Sequence, residues 1–571
     1  MEGVEIADTL THDGTLPSWV IHLRLTIAEP SDMVPATTDW YVRIDPAYPL
    51  GFAAFQPAQD GGLHRSFRHM TRNDYDGGLW RNGVPCLDRP GRWLGSLEMA
   101  GQPDSAVAKL RFHVGMALKW LEFAAKDTLT APEEPFELPR FTDDSDASVV
   151  GFDESPDRFA IWQPLLGRFG RCVVRRICEN TVALDSFLLR DASVTPSRWG
   201  ARIDASVESL PVFWMSLPEM PVIAPWDVPN TWGEMRAVAR KMGVDFDGGL
   251  RWIYHKIREA NLTGDQVLLI GFPIPDVYDG PPAQMHWQPL CLPRPIPSEH
   301  LTHARPGSQG AWPFQLARTL SDDQPLQWLR SENWSEQRLR VRGSLDEAVR
   351  NMRTVIIGAG ALGSALAEML VREGLNDLLI IDHEKLEMGN LRRHVLTAEE
   401  VGQYKARALA TRLNSVSPFA RVRYVAGWFP QRLDEDRSAL HDADLIIDCT
   451  ANEDVIGHLA RQKSNGRKRW FFVGSLGVDA RRLFLYSEHA EQPDAARYKV
   501  AMREPFAEEK NLIAERGLAA MHGAGCWNPV FPARWSDVQI LAAEMLKGIE
   551  RGVRRGTSPE TSLETIWLRA A

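Results

Sequence analysis

The chain carries two kinds of hydrophobic pattern. Near its C-terminal end, continuous apolar runs at 355–357, 378–381 and 445–447 each end directly at a glycine or an aspartate. Such runs are typical of strands that are covered on both faces in a parallel sheet. Near the N-terminus, 19–27 and 39–44 alternate apolar with polar residues, as half-buried strands do, and apolar residues at helical spacing over 106–125 predict a helix. The pattern therefore predicts an α/β protein with a different sheet at each end.

A chain of 571 residues is too long for a single core, so we expect several domains. The stretch after the N-terminal helix is acidic and rich in proline, which favours a linker. A second α/β segment follows it, with a predicted helix over 232–242 and a predicted strand over 267–272. We divide the chain into an N-terminal domain at 1–130, a linker at 131–157, a middle domain of unassigned role at 158–328 and a C-terminal domain at 329–571.

Composition narrows the functional class. The net charge of −10 argues against a general nucleic-acid binder. The acidic N-terminus lacks the features of a signal peptide, and no apolar run approaches the ~18 residues that span a bilayer. The six cysteines include no CxxC pair, which fits thiols in a reducing compartment and provides no structural zinc site. We therefore expect a cytoplasmic protein that binds neither membrane nor nucleic acid.

A glycine-rich turn follows the first C-terminal strand. Gly358, Gly360 and Gly363 precede and open a predicted helix that begins near Ala361. Glycines let the backbone turn sharply and approach a phosphate at the helix N-terminus. Asp382 ends the next strand, where an acid commonly binds ribose hydroxyls. These residues predict a nucleotide site, and a dinucleotide oxidoreductase is one interpretation of them.

The polar residues that follow Asp382 favour a nucleoside triphosphate over a dinucleotide as the ligand. Asn390, Arg393 and Lys405 follow Asp382, and Asp448 ends a later apolar strand. Arginine clamps phosphate oxygens with two hydrogen bonds, lysine supplies a compact charge, and a carboxylate is a hard oxygen ligand for Mg²⁺. We therefore expect ATP and Mg²⁺ as the ligands.

In order and spacing, these positions resemble the adenylation domain of the ubiquitin-activating (E1) and sulfur-carrier-activating (ThiF) superfamily, over about 330–571. The resemblance implies a Rossmann-like domain. It also implies a homodimer through this domain, in which an arginine of the preceding segment reaches the partner's ATP; Arg338 is the candidate.

Two cysteines are candidates for thioester chemistry. Cys526 lies in a glycine-rich stretch four residues after His522, a setting that lowers a thiol pKa and leaves it accessible. Cys86 lies in a loop that also contains Asn82, upstream of Trp93 and downstream of His64 and His69. A buried structural thiol is the alternative at each position. Cys449, at the end of an apolar strand, is predicted to be core.

The N-terminal order of strands, histidine-bearing segment, Cys86, tryptophan and helix resembles the ubiquitin-conjugating (E2, UBC) fold. It lacks the His-Pro-Asn tripeptide of that family, and Asn82 is a candidate to stabilise an oxyanion in its place. The whole arrangement resembles the bacterial E2–E1 fusions of CBASS anti-phage operons and related ubiquitination-like systems.

That resemblance implies adenylation of a partner's C-terminal carboxylate, a thioester on Cys526, transfer to Cys86 and conjugation to a target amine. The implied partner is a cGAS-like nucleotidyltransferase or a ubiquitin-like protein. The main alternative is a sulfur-carrier or peptide adenylyltransferase whose N-terminal region only docks the substrate.

Overall fold

A computed structural model describes residues 2–13, 18–87, 103–142, 148–189, 192–206, 212–262, 264–294, 316–430, 437–462, 466–515, 533–555 and 562–568. The chain forms two compact units: the first contains 1–197 and 208–333, and the second contains 198–207 and 334–571. Cys526, His522 and Trp93 lie outside the described residues.

The first unit begins with an antiparallel sheet covered by one helix. This part is rich in strands, and they are β1 (Val4–Ile6), β2 (Thr11–Asp13), β3 (Ser18–Thr26), β4 (Thr37–Ile44) and β5 (Ala53–Pro57). They are ordered β1-β3-β4-β5, with β2 paired to β3. The helix Ala106–Ala125 coincides with the predicted range and packs its apolar side on the inner face of the sheet, against Leu23, Trp40 and Phe55.

The rest of the first unit is built on a larger mixed sheet. The strands are β6 (Val149–Phe152), β7 (Phe169–Cys178), β8 (Thr181–Leu189), β9 (Ala192–Pro196), β10 (Val212–Ser216), β11 (Gln266–Pro275), β12 (Pro282–Leu292), β13 (Gln327–Trp328) and β14 (Arg330–Asn333). Their order in the sheet is β13-β12-β11-β10-β7-β8-β6-β14, with β9 paired to β8. The helices of this unit that follow Ala106–Ala125 include Pro156–Trp162, Trp232–Lys241 and Phe246–Glu259.

The stretch predicted as a linker takes part in this sheet. β6 pairs in parallel with β8 and β14, and Val150 and Phe152 are buried in the core. Acidic and proline-rich composition describes the residues before Val149, whereas the short apolar run that follows is a strand.

The second unit contains the predicted parallel sheet. The strands are β15 (Thr354–Ile357), β16 (Asp377–Ile381), β17 (Arg421–Val425), β18 (Leu445–Asp448), β19 (Arg469–Leu476), β20 (Arg482–Ala490) and β21 (Ser562–Trp567). Strands β17-β16-β15-β18-β19 are parallel, and β20 and β21 continue the sheet antiparallel. The chain leaves β15 toward β16 on one side and β18 lies on the other side, so a crevice opens at the carboxyl ends of β15 and β18.

Helices cover the faces of this sheet. Ala361–Arg372 and Trp535–Arg554 bury apolar residues in one core cluster with β15, β16 and β18, as the continuous apolar strands require. The helices of the second unit are Ala201–Asp204, Glu336–Arg340, Glu347–Arg350, Ala361–Arg372, Lys405–Leu413, Arg437–Asp442, Glu453–Ala460, Ala495–Glu515 and Trp535–Arg554. Among the described residues, no helix has the length and apolar character needed to cross a membrane.

Candidate active site

The glycine-rich turn lies at the crevice. Gly358 has φ +94°, in the left-handed region that glycine enters freely, and its N–H donates to the carbonyl of Ile381 at 2.8 Å. A Cβ on Gly363 would lie 1.9 Å from the carbonyl oxygen of Gly358, so this position has no room for a side chain. A Cβ on Gly360 would meet nothing within 4 Å and would project into open space. The turn is therefore closely packed at Gly363 and open at Gly360, and a phosphate-binding turn needs such an open side.

Asp382 holds this turn in place. Its Oδ2 accepts a hydrogen bond from the N–H of Ala359 at 2.6 Å, and its Oδ1 accepts one from the N–H of Glu384 at 2.7 Å. Burial raises the pKa of Asp382, although both backbone N–H groups and the positive charge of Lys405 act to lower it. Each carboxylate oxygen keeps a further lone pair. Its role as a ribose ligand stays a prediction, to which the structure adds a role in shaping the turn.

A histidine that the sequence analysis did not single out secures the other side of Ala359. The His394 Nε2 donates to the carbonyl oxygen of Ala359 at 2.8 Å, and its Nδ1 accepts from the N–H of Leu396 at 3.2 Å. This pair of bonds fixes the neutral tautomer with its proton on Nε2. Burial is the main reason that the pKa of His394 falls to about 4. Its position directly after Arg393 was the only signal for it in the sequence.

Lys405 is buried at the start of its helix, where its ammonium group pairs with Glu384. Burial raises the pKa of Glu384, but the hydrogen bond and charge of Lys405 outweigh it, so the net pKa is lowered. Glu384 lines the cavity described below, whereas Lys405 is not among the lining residues. The ammonium group of Lys405, which was predicted to act on the phosphates, is therefore paired with Glu384 in this structure and does not line the cavity.

Asp448 is buried at the end of β18. Within the described residues its hydrogen bonds fall on Oδ1, from the Thr450 N–H at 2.9 Å and the Thr450 hydroxyl at 2.6 Å. Burial raises the pKa of Asp448 to about 6, against these two bonds. No cluster of three or more His, Cys, Asp or Glu side chains that suits a metal occurs in the described ranges. A Mg²⁺ at Asp448 would therefore need phosphate oxygens and water as its other ligands. Mg²⁺ in nucleotide-binding proteins is commonly coordinated in this way.

The crevice holds a cavity of about 310 Å³. Residues from the ends of β15, β16 and β18 form its floor, and the segment after β17 forms one wall, where the rings of Trp428 and His383 stack with centroids 3.4 Å apart. Cys449 also lines it; burial raises the pKa of this thiol, and its side chain packs against the core as predicted. The lining residues are Ile357, Gly358, Gly360, Ile381, Asp382, His383, Glu384, Gly427, Trp428, Phe429, Cys449, Thr450, Asn452 and Val455.

The other predicted residues of this site lie outside that lining. Asn390 caps its own turn, its Oδ1 accepting from the N–H of Glu387 at 3.0 Å. Arg393 is half-buried just after that turn, and burial lowers its pKa. Arg338 is exposed on the helix Glu336–Arg340. Their roles toward ATP and toward a second subunit stay predictions.

Cys86 is exposed, so it is not a buried structural thiol. Its N–H donates to the carbonyl of His69 at 2.7 Å, and it lies between buried Pro85 and Leu87, which packs against the core. This flanking burial fixes the backbone while the side chain faces solvent. His64 and Asn82 are exposed too.

The side chain of His69 is engaged elsewhere. Its Nδ1 lies 3.0 Å from Glu137, and its Nε2 lies 3.3 Å from the hydroxyl of Thr130. The hydrogen bond to Glu137 is the main reason that the pKa of His69 is raised. His69 therefore ties the segment before Cys86 to the chain that follows the N-terminal helix.

Two protein families match the chain. Residues 127–334 match the Cap2 central linker domain, and residues 334–523 match the ThiF family. A ThiF-type, E1-like adenylation domain therefore forms the C-terminal part. The first of these matches includes the residues predicted as a linker and as a middle domain of unassigned role.

Curated relatives agree with this assignment. The chain is 29% identical over 547 residues to the ATP-dependent ubiquitin transferase-like protein Cap2 of Enterobacter hormaechei, covering 94% of this chain and 90% of that protein. It is 32% identical over 109 residues to the sulfur carrier protein adenylyltransferase of Thermus thermophilus, covering 19% of this chain and 39% of that one. It is 38% identical over 72 residues to ubiquitin-like modifier-activating enzyme 5 of Dictyostelium discoideum, covering 13% and 19%.

Among solved structures, E. coli MccB with ATP covers 39% of this chain and 65% of its own, at 15% identity and a TM-score of 0.26. PaaA covers 39% and 75%, at 15% identity and a TM-score of 0.29. Both scores are below the range that indicates a common overall fold.

Proposed function

We propose that this protein uses ATP to activate the C-terminal carboxylate of a partner protein and conjugates it to a target amine. The observation that carries the proposal is the crevice at β15 and β18, where an open glycine turn and Asp382 line the cavity, and the buried Asp448 directly precedes Cys449 and Thr450 of the same lining. The similarity to Cap2 over 94% of the chain, a relative named as an ATP-dependent ubiquitin transferase-like protein, supports it.

In the first step, an oxygen of the partner's carboxylate forms a bond to the α-phosphorus of ATP while the bond to pyrophosphate breaks. Phosphate oxygens would be received at the N-terminus of the helix that begins at Ala361, because the N–H groups of Gly358 and Ala359 already donate to Ile381 and Asp382. Asp448 would hold Mg²⁺, which neutralises charge on the phosphates. Arg393 and Lys405 would supply positive charge to the transition state, and Lys405 would do so once its pair with Glu384 opens.

In the second step, the thiolate of Cys526 bonds to the carbonyl carbon of the acyl-adenylate, and AMP leaves. The thiolate of Cys86 then displaces Cys526, and a target amine displaces Cys86 and loses a proton. A thioester keeps most of the activation of the mixed anhydride, so transfer between the thiols is nearly balanced and depends on their positioning. The exposed side chain and fixed backbone of Cys86 suit an acyl acceptor.

The partner and assembly follow from the same proposal. A cGAS-like nucleotidyltransferase or a ubiquitin-like protein would present the carboxylate, in a CBASS-like anti-phage system or a related ubiquitination-like system. The N-terminal strand-rich domain would act as the E2-like module, and the enzyme would work as a homodimer through its E1-like domain, in the cytoplasm.

The test uses the full chain, produced in cells that also carry its neighbouring genes. Cys86→Lys should trap the partner as a stable isopeptide adduct in the intact mass. Cys86→Ala should accumulate a reductant-sensitive adduct on Cys526, and Cys526→Ala should form acyl-adenylate but no thioester. Cys178→Ala is the matched control, because Cys178 is an exposed thiol at the end of β7 with no role in the proposal.

Normal conjugation by Cys86→Ala would contradict the E2-like step. It would leave an adenylyltransferase of the sulfur-carrier or peptide type, with the N-terminal domain as a docking region. Tight binding of NAD without binding of ATP would contradict adenylation itself.

A further inference from the structure

A second cavity, of about 450 Å³, lies on the outer face of the first sheet. Side chains alternate across a strand, so His22 on β3 and Tyr41 on β4 point away from the core that Leu23, Trp40 and Val42 enter. The cavity walls include Val20, His22, Tyr41, Leu79 and Trp80, and Asp8 lies at the rim. It is separate from the nucleotide crevice, and the proposed function makes no use of it.

Aromatic faces form much of this cavity. Tyr41 stacks on His22 with ring centroids 4.7 Å apart and an interplanar angle of 13°. The ring of Trp80 lies 5.6 Å from that of Tyr41, tilted by 53°. Tyrosine and tryptophan rings are negative on their faces and attract cations. The guanidinium of Arg43 already lies 5.8 Å from the Trp80 centroid, outside the cavity lining.

Three acidic side chains act on Tyr41, one of the aromatic residues of the cavity. Burial raises the pKa of Tyr41 most, and the charges of Asp8, Asp39 and Asp60 raise it further. Asp39 is engaged, since Arg24 Nε lies 3.2 Å and His22 Nε2 lies 3.3 Å from its Oδ1.

Asp8 is the carboxylate of this cavity that can bind a ligand. It is exposed, and within the described part of the chain its hydrogen bonds come from the N–H and hydroxyl of Thr9. No lysine or arginine is among the described residues that line the cavity. The cavity therefore combines cation-attracting rings with a carboxylate and contains no cation of its own.

We propose that this cavity binds a lysine or arginine side chain of a docked protein segment. The charged end would lie between the ring faces and the Asp8 carboxylate. The alkyl stem would pack on Val20 and Leu79, as long basic side chains do on apolar surface. The side chain of Leu79 is 61% exposed at the rim. It can therefore contact an apolar residue next to the basic residue in a bound peptide, and this favours a peptide over a small cation as the ligand. The inference goes beyond the proposed function, because the binding needs neither ATP nor either cysteine.

The test is ligand-observed saturation-transfer NMR on the full chain without ATP. The probe is the peptide acetyl-Ser-Leu-Lys-Ser-amide, compared with the same peptide carrying norleucine, which keeps the stem and lacks the charge. The lysine peptide should show saturation transfer to its side-chain methylenes and bind at least about threefold more tightly. Trp80→Leu and Asp8→Asn should each weaken it about two- to fivefold, the range for a cation–π or ion contact at an exposed site.

Two control variants accompany the binding measurement. Asp32→Asn removes an exposed carboxylate that does not line the cavity and should leave binding unchanged. Tyr41→Phe keeps the ring and should retain binding, which separates loss of the site from loss of the fold. Equal binding of both peptides, or binding unaffected by Trp80→Leu and Asp8→Asn, would overturn the proposal. Tetramethylammonium binding as tightly as the lysine peptide would overturn the choice of a protein segment.

Discussion

The imidazole of His394 donates a hydrogen bond from Nε2 to the carbonyl oxygen of Ala359 at 2.8 Å. Asp382 accepts from the N–H of the same residue at 2.6 Å. Both polar groups of Ala359 are thereby held by buried side chains, one neutral and one acidic. Because Ala359 lies between Gly358 and Gly360, these two bonds hold the conformation of the turn on which the proposed nucleotide binding depends.

His394 should make the second unit sensitive to acid. Its pKa is about 4 in the folded protein, below the unfolded value of about 6.5, so the stabilisation is complete above pH 6.5 and is lost as the pH falls toward 4. At pH 5 the loss should be about 2 kcal/mol. The difference in thermal unfolding between the wild-type full chain and His394→Gln should show this loss as the pH falls from 8 to 5, because the comparison cancels pH effects from other groups of the chain. His64→Gln, at an exposed histidine, is the control and should keep the wild-type pH dependence.

Binding of ATP with Mg²⁺ should weaken below about pH 6. The pKa of Asp448 is raised to about 6 by burial, and only the deprotonated carboxylate is a metal ligand. Calorimetric titration with ATP should show a Mg²⁺-dependent gain in affinity at pH 7.5 that shrinks at pH 5.5. Asp448→Asn should lose that gain at both pH values while keeping Mg²⁺-independent binding. An unchanged Mg²⁺ effect in this variant would place the metal elsewhere.

Gly360 and Gly363, three residues apart, should respond differently to substitution by alanine. At Gly363 the added Cβ would lie 1.9 Å from the carbonyl of Gly358, so Gly363→Ala should cost about 1–3 kcal/mol of stability. At Gly360 the Cβ would enter open space, so Gly360→Ala should fold normally but obstruct the phosphates and weaken ATP binding about tenfold or more. Melting temperatures and ATP titrations of both variants check this. A stable Gly363→Ala or an ATP-competent Gly360→Ala would contradict the assigned geometry.

Because of Glu154, the stability of the first unit should change with pH in the direction opposite to that expected for His394 in the second unit. It is fully buried, its Oε1 accepts from the indole N–H groups of Trp162 at 2.9 Å and Trp287 at 3.3 Å, and its Oε2 has no hydrogen-bond partner among the described residues. Burial raises its pKa to about 7, so protonation stabilises the fold. Stability should fall as the pH rises from 4.5 through 7, by on the order of 3 kcal/mol.

Glu154→Gln should remove this dependence, because a neutral amide oxygen still accepts from both indoles. Unfolding of the full chain in denaturant at pH 5 and pH 8 is the measurement. Glu179→Gln, at an exposed glutamate after β7, is the matched control and should behave as wild type. A wild-type pH response in Glu154→Gln would mean that another group is responsible.

Arg338 should affect adenylation but not assembly. It is exposed on the helix Glu336–Arg340, so truncating it should leave the fold intact. If it completes the ATP site of a second subunit, Arg338→Ala should lower ATP affinity in a protein that still sediments as a dimer. Arg342→Ala, four residues later and also exposed, is the control. A fully active monomer would contradict the proposed homodimer.

The sequence by itself determined several of the elements and predicted where a nucleotide would bind. The predicted helix over 106–125, the three apolar strands, which end at Ile357, Ile381 and Asp448, and the helix from Ala361 are all present. These features depend on local periodicity and on the demand that a buried parallel strand be apolar, which neighbouring residues reveal. The roles of Asn390, Arg393, Asp448 and both proposed catalytic cysteines remain predictions, and Cys526 lies outside the described residues.

Only the tertiary structure decided which polar groups meet. β18 follows β15 by about ninety residues yet pairs beside it, and this brings Cys449 and Thr450 against the glycine turn. The pairing of Lys405 with Glu384, the contact of His394 with Ala359 and the strand β6 inside an acidic stretch likewise depend on distant partners. A hydrogen bond or ion pair forms between groups that strand order places together, and strand order depends on burying the whole sheet rather than on any local pattern.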